Sequence, residues 1–87
     1  EHFLYGLTMY INTPKELGKF IAKHRKDKGW NQSQLAELIG IHQPEVSKME
    51  TDPSKVDLVI IMKVLALIEA DLIVEPRSTL VAFELDF

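Results

Sequence analysis

The sequence predicts a mainly α-helical domain built around a helix-turn-helix, with a short C-terminal β-strand that pairs across a homodimer. Three observations carry this expectation. Residues 31–50, NQSQLAELIGIHQPEVSKME, place apolar side chains only where two short helices joined by a tight turn must touch. Residues 58–68 are apolar on nearly every side of a helix. After Asp71 the pattern becomes β-branched and then alternating, which is the period of strands.

Taken in order, residues 1–12 form an N-terminal extension in which Leu7, Met9 and Ile11 alternate weakly as a possible strand. The first ten residues have no basic stretch before their apolar residues and make a poor signal peptide. Residues 13–70 are the expected folding unit. Thr13-Pro14-Lys15-Glu16 is a helix start: Thr13 caps, Pro14 suits the first helical position, and Glu16 completes a capping box. That helix should reach about Lys28, with Leu17, Phe20, Ile21 and His24 on one face and Gly29 as a left-handed terminator. Lys23, Arg25, Lys26 and Lys28 crowd its last turns. Cations there suit the helix dipole, and the same run also suits phosphate contact by one or two lysines.

Asn31 opens the next helix, with Gln34 three positions later as its capping-box partner. Counting from Gln32 as the first position of the motif, Ala36 is fifth, where only a small side chain lets the helices cross closely. Gly40 is ninth and supplies the positive φ of the turn. Ile41 plugs the turn, and Leu35, Ile39, Val46 and Met49 complete the inner faces. His42 or Gln43 begins the second helix, with Pro44 tolerable in its first turn. Residues 51–55, TDPSK, read as a turn, and Asp57 as the cap of a helix over roughly Leu58 to Ile68. A short chain has little interior for a helix apolar all round, so Val59 and Met62 are expected to face a second subunit. Residues 71–87 are the expected dimerisation segment and tail. Leu72, Ile73 and Val74 read as a short strand and Leu80–Phe87 as a half-buried one, best satisfied by a sheet shared across the dimer. The alternative is a disordered or simply packed tail.

The outward residues of this arrangement carry the chemistry of DNA reading. Gln32 and Ser33 stand at the start of the first motif helix, where a side chain and free backbone N–H groups can meet a phosphate. Gln43 opens the second helix, and a glutamine pairs bidentately with adenine N6 and N7. Ser47 lies four residues on, Lys48 can reach guanine or the backbone, and His42 can cap the helix or touch phosphate. Lys28, Asn31 and Lys55 flank the motif as candidate phosphate contacts. Glu45 repels phosphate and must either accept from cytosine or point away.

Bulk properties bound the reading. The net charge of −3 is awkward for a DNA binder, but residues 13–50 hold seven Lys/Arg against five Asp/Glu, and residues 51–87 three against seven. Basic excess therefore collects around the motif, and the acidic half must face away from DNA. The apolar stretch from Leu58 to Val74 is broken by Lys63, Glu69 and Asp71, each costly in a bilayer, so no membrane span is expected. With no cysteine, three dispersed histidines and no Gly-rich phosphate loop, the chain offers no catalytic or metal constellation, and no cofactor is expected.

Gly29 to Ala36 (GWNQSQLA), then Ile39-Gly40-Ile41 and Gln43 to Ser47 (QPEVS), resemble the phage-repressor (Cro/C1, or XRE) class of helix-turn-helix proteins and, more narrowly, the HipB antitoxin family. The similarity runs from about Tyr10 to Glu75 and includes Asp52-Pro53 and Lys63-Val64-Leu65. It implies a lambda-repressor-like fold whose last strand pairs across a two-fold dimer. It further implies binding to double-stranded operators with inverted repeats, repression of the chain's own operon, and a HipA-like serine/threonine kinase toxin as partner. A bacterial cytoplasmic protein, nucleoid-associated when on DNA, is the corresponding location. His42 and Lys48 depart from the family at the reading face, so the operator does not carry over. Two other readings stand beside this one: a free-standing repressor without a toxin, and an interaction module that has lost DNA binding.

Overall fold

The computed structural model describes residues 9–76. The expected strand over Leu80–Phe87 and the residue Leu7 lie outside them. The described elements are α1 (Pro14–Asp27), α2 (Gln32–Ile39), α3 (Gln43–Thr51), a 3-10 turn (Pro53–Lys55) and α4 (Leu58–Leu67).

Each boundary has a local cause. Thr13 Oγ1 accepts the Glu16 N–H at 3.2 Å, while the Glu16 carboxylate reaches one residue further back than expected, to the Asn12 N–H at 2.7 Å. Gly29, at φ +80, turns the chain away from the end of α1. In α2 the capping box is complete: Asn31 Oδ1 accepts the Gln34 N–H at 2.7 Å and Gln34 Oε1 accepts the Asn31 N–H at 2.8 Å. Gly40 terminates that helix at φ +76, and the Ile41 N–H returns to the Ala36 carbonyl at 3.0 Å. Asp57 occupies the N-cap of α4 as expected, but its side chain makes no capping bond. Its carbonyl instead accepts from Ile60 and Ile61.

α3 lies at the centre, packed on both α1 and α2. Ile21, Leu35, Val46, Met49 and Val64 are fully buried, and Ala36, Ile61, Leu65 and Ile68 complete the core. Burying each large apolar side chain contributes about 1.5–3 kcal/mol, so these few residues dominate the stability of so small a unit. α4 buries one face only. Leu58 and Val59 remain 66% and 65% exposed, Met62 is 47% exposed, and Leu72, Ile73 and Val74 continue the apolar surface. Val59 and Met62, the residues expected to face a second subunit, are thus uncovered among the described residues. Leu72–Val74 likewise form no strand ladder there, because a strand takes its hydrogen bonds from a neighbour and none of the described residues supplies one.

Glu69, just past α4, adopts φ +60, a conformation more usual for glycine. Lys28 Nζ holds its carboxylate at 2.6 Å and lowers its pKa. Asp52 is also lowered, first by the Ser54 hydroxyl at 2.6 Å, then by the Ser54 N–H and by Lys55. Because the folded state holds both carboxylates more acidic than the unfolded chain does, their stabilisation is present above the ordinary carboxylate range, about pH 4, and fades as pH falls through the folded values. Urea midpoints measured from pH 7 to pH 3 should fall less steeply in Asp52→Asn/Glu69→Gln than in the wild type. Equal slopes would show that neither group contributes.

Candidate nucleic-acid interface

The N-terminal ends of α2 and α3 meet at one edge of the domain, and the contact between them is polar. Gln43, first residue of α3, donates from Nε2 to Gln32 Oε1 at 2.7 Å, and Gln32 is the first residue of α2. Gln32 Nε2 in turn donates to Glu50 Oε1 at 3.0 Å. Glu50 is bound by Arg25, whose Nε lies 2.5 Å from Oε2 and whose Nη2 lies 3.0 Å from Oε1. The remaining Arg25 donor bridges to the Trp30 carbonyl at 2.7 Å. Two glutamines at the domain surface are thus tied through one carboxylate to a guanidinium in the interior.

The burial of that ion pair makes it rigid. The two side chains are only 7% and 8% exposed, and a two-pronged guanidinium–carboxylate contact fixes both distance and plane. Arg25 gets there by helix geometry: it lies four residues beyond Ile21 and seven beyond Gly18, the other buried positions of α1. Glu50 follows Val46 and Met49 on the inner side of α3. Among the described residues no buried side-chain nitrogen or oxygen lacks a partner, so the network closes completely.

The other expected contact residues fall into three groups. Gln43, Lys48 and His42 are exposed at the start and outer side of α3, and Ser47 is half-buried among them. Ser33 is exposed in the first turn of α2, where backbone N–H groups have no helical acceptor. The flanking cations and caps are otherwise engaged. Asn31 spends its side-chain oxygen on the cap of α2, and Lys28 is paired with Glu69, so a phosphate at Lys28 must compete with that carboxylate. Lys55 stands exposed at the end of the 3-10 turn. Glu45 does not face outward as a base acceptor: its carboxylate folds back on the His42 N–H at 3.3 Å, at the start of its own helix. Negative charge is favourable there, and the repulsion expected at the reading face is reduced. The His42 ring makes no capping bond and stays available.

Sequence reasoning placed Arg25 in a basic helix end and gave Glu50 no role. Both are central to the hydrogen-bond network behind Gln32 and Gln43. The available signal was positional, since Arg25 falls on the apolar stripe of α1 and Glu50 directly follows Met49 on that of α3. No group of three or more potential metal ligands occurs among the described residues, and no helix among them is long and apolar enough to cross a membrane.

Comparisons with known proteins bear on the fold and the family. A family described as helix-turn-helix matches residues 21–74. The antitoxin HipB of Escherichia coli strain K12 is 36% identical over 59 residues, covering 68% of this chain and 67% of that protein. Antitoxin HipB of E. coli O6:H1 (strain CFT073) is likewise 36% identical over 59 residues, and the match spans 63% of its length. Among solved structures, a HipB–O4 20mer complex superposes with a TM-score of 0.72 at 30% identity, covering 82% of this chain and 100% of that one. A HipA–HipB–O2–O3 complex gives a TM-score of 0.73 at 30% identity with the same coverage.

Proposed function

This chain belongs to the helix-turn-helix family and is similar within it to the HipB antitoxins, and from that premise we propose that it is a dimeric, sequence-specific repressor and antitoxin. It binds inverted-repeat operator DNA, represses its own operon, and is held by a HipA-like serine/threonine kinase toxin in the bacterial cytoplasm. The observation that carries the DNA reading is the hydrogen bond between Gln32 and Gln43 at 2.7 Å. It joins the first side chain of α2 to the first side chain of α3, which supports a motif that combines positioning at one helix head with readout at the other. The toxin partner is supported by the relative solved with HipA, and dimerisation by the uncovered apolar surface of Val59, Met62, Leu72, Ile73 and Val74. No catalytic step belongs to this reading.

Gln43→Ala is expected to cost about 1–3 kcal/mol on the operator and to relax specificity at one base pair per half-site. Titration against a panel of single-base operator variants checks it. Equal weakening on every sequence would show that Gln43 reads no base. A two-fold dimer sets its reading helices about 34–36 Å apart, one turn of DNA. Inserting five base pairs between half-sites should therefore abolish tight binding, and unchanged affinity would rule out a rigid dimer. Purification from the native operon, followed by identification of what accompanies the chain, separates an antitoxin from a free-standing repressor.

A further inference from the structure

We infer that Glu50, which does not itself reach the groove, fixes the orientation of the Gln43 amide and thereby its preference for adenine over guanine; this rests on the DNA-reading function proposed above. A carboxamide has nearly the same shape either way round, but turning it over exchanges donor for acceptor. An unconstrained glutamine in a groove can use both N–H groups, or one N–H and its oxygen.

Glu50 removes that freedom one step at a time. Its carboxylate only accepts, and Arg25, which only donates, occupies it from one side through both oxygens. The position left to Gln32 therefore demands a donor, and Gln32 turns its NH2 group inward at 3.0 Å. What Gln32 then shows to α3 is its carbonyl oxygen, which only accepts. Gln43 must meet it with an N–H, at 2.7 Å. Reversing any amide in the series would set oxygen against oxygen or leave two donors facing each other.

The consequence reaches the base edge. Gln43 has given one N–H to Gln32, so one N–H and its oxygen remain for the groove. That pair matches adenine, which offers an acceptor at N7 beside a donor at N6. Guanine offers acceptors at both N7 and O6. Bridging it would require both Gln43 N–H groups, one of which is already committed, and the Gln43 oxygen would otherwise face O6. Discrimination thus depends on a carboxylate that lies inside the protein.

Selection from a random pool of DNA duplexes with the full chain tests this. The wild type should yield one adenine-preferring pair in each half-site, identified as the pair whose preference disappears in Gln43→Ala. Gln32→Met leaves the Arg25–Glu50 pair in place and removes both the donor to Glu50 and the acceptor facing Gln43. Its adenine-to-guanine preference at that pair should fall about tenfold, within the usual worth of one base contact, while preferences at other pairs persist. Loss of a phosphate contact alone would weaken all sequences equally and leave the preference intact. Glu50→Gln, which can present either a donor or an acceptor to Gln32, should relax the same pair if it folds by thermal melting; otherwise Gln32→Met decides. Unchanged adenine preference in Gln32→Met overturns the inference, as does a Gln43→Ala variant that loses no preference. A wild type that selects no sequence would instead sink the repressor reading itself.

Discussion

Arg25→Ala is expected to destabilise the protein by about 3–5 kcal/mol, the usual result of removing one partner from a buried ion pair. The loss is large relative to the whole. At roughly 0.05–0.15 kcal/mol per residue, an 87-residue chain has only about 4–13 kcal/mol in total. Most of the cost is not the lost attraction. It is the Glu50 carboxylate left behind, 8% exposed, with only Gln32 as a donor. The Trp30 carbonyl loses its side-chain donor as well, and the connection from α1 to α2 loosens. A paired control separates these causes: in Arg25→Met/Glu50→Met the stranded charge is gone, and much of the stability should return. Chemical denaturation of the two variants beside the wild type gives the answer. If Arg25→Ala unfolds at the wild-type midpoint, the pair contributes nothing and the rigidity argued for the interface fails with it. Were the double variant no better than the single, packing rather than charge would account for the loss.

The contrast between Arg25 and the motif core shows what was legible in the sequence. Leu35, Ala36, Gly40, Val46 and Met49 could be placed because their signals are local: a cap, a turn glycine, and apolar residues at helical spacing. Gln32 and Gln43 followed as the first residues of helices already located, and Ser47 as the residue one turn further along α3. Arg25 was hidden by its neighbours. Lys23, Lys26 and Lys28 make a helix end that suits the dipole, and composition alone gives Arg25 the same meaning. Only its register, four residues after Ile21, marks it as inward, and its partner lies 25 residues away. Glu45 was ambiguous for a related reason. Its two outcomes, cytosine acceptor or turned away, differ by a side-chain rotation that a backbone N–H decided. The segment Leu72–Val74 is a different case. Its residue types suit a strand, but a ladder is a property of two strands, and the described residues supply no second one. Val59 and Met62 are likewise uncovered among the described residues, and the dimer proposed above would cover them.

Gly18 was silent in the sequence and carries the second large effect. Glycine inside a helix is ordinarily a weakness, and replacing it with alanine ordinarily gains about 1 kcal/mol. Here the opposite sign is expected. A Cβ at Gly18 would lie 2.4 Å from the Glu50 carbonyl oxygen, 2.9 Å from the Glu50 carbonyl carbon and 3.0 Å from the Met49 oxygen. These are backbone atoms in the last turn of α3, so no rotamer change can relieve the overlap. Either α1 and α3 move apart or the end of α3 tilts. Overpacking of this kind costs about 1–3 kcal/mol, and more where the neighbours cannot give, so the overlap outweighs the propensity gain. Gly18→Ala should lower the urea midpoint, and Gly18→Val should lower it further, since its branches add volume without improving helix propensity. The displaced residue is Glu50, whose carboxylate holds Gln32. Any tilt that relieves the clash therefore also lengthens the link to Gln43, and operator affinity should fall by more than the unfolded fraction explains. A stabilised Gly18→Ala would mean that the two helices separate freely at this point, and that the close approach of α1 to α3 does not hold the reading helix in place.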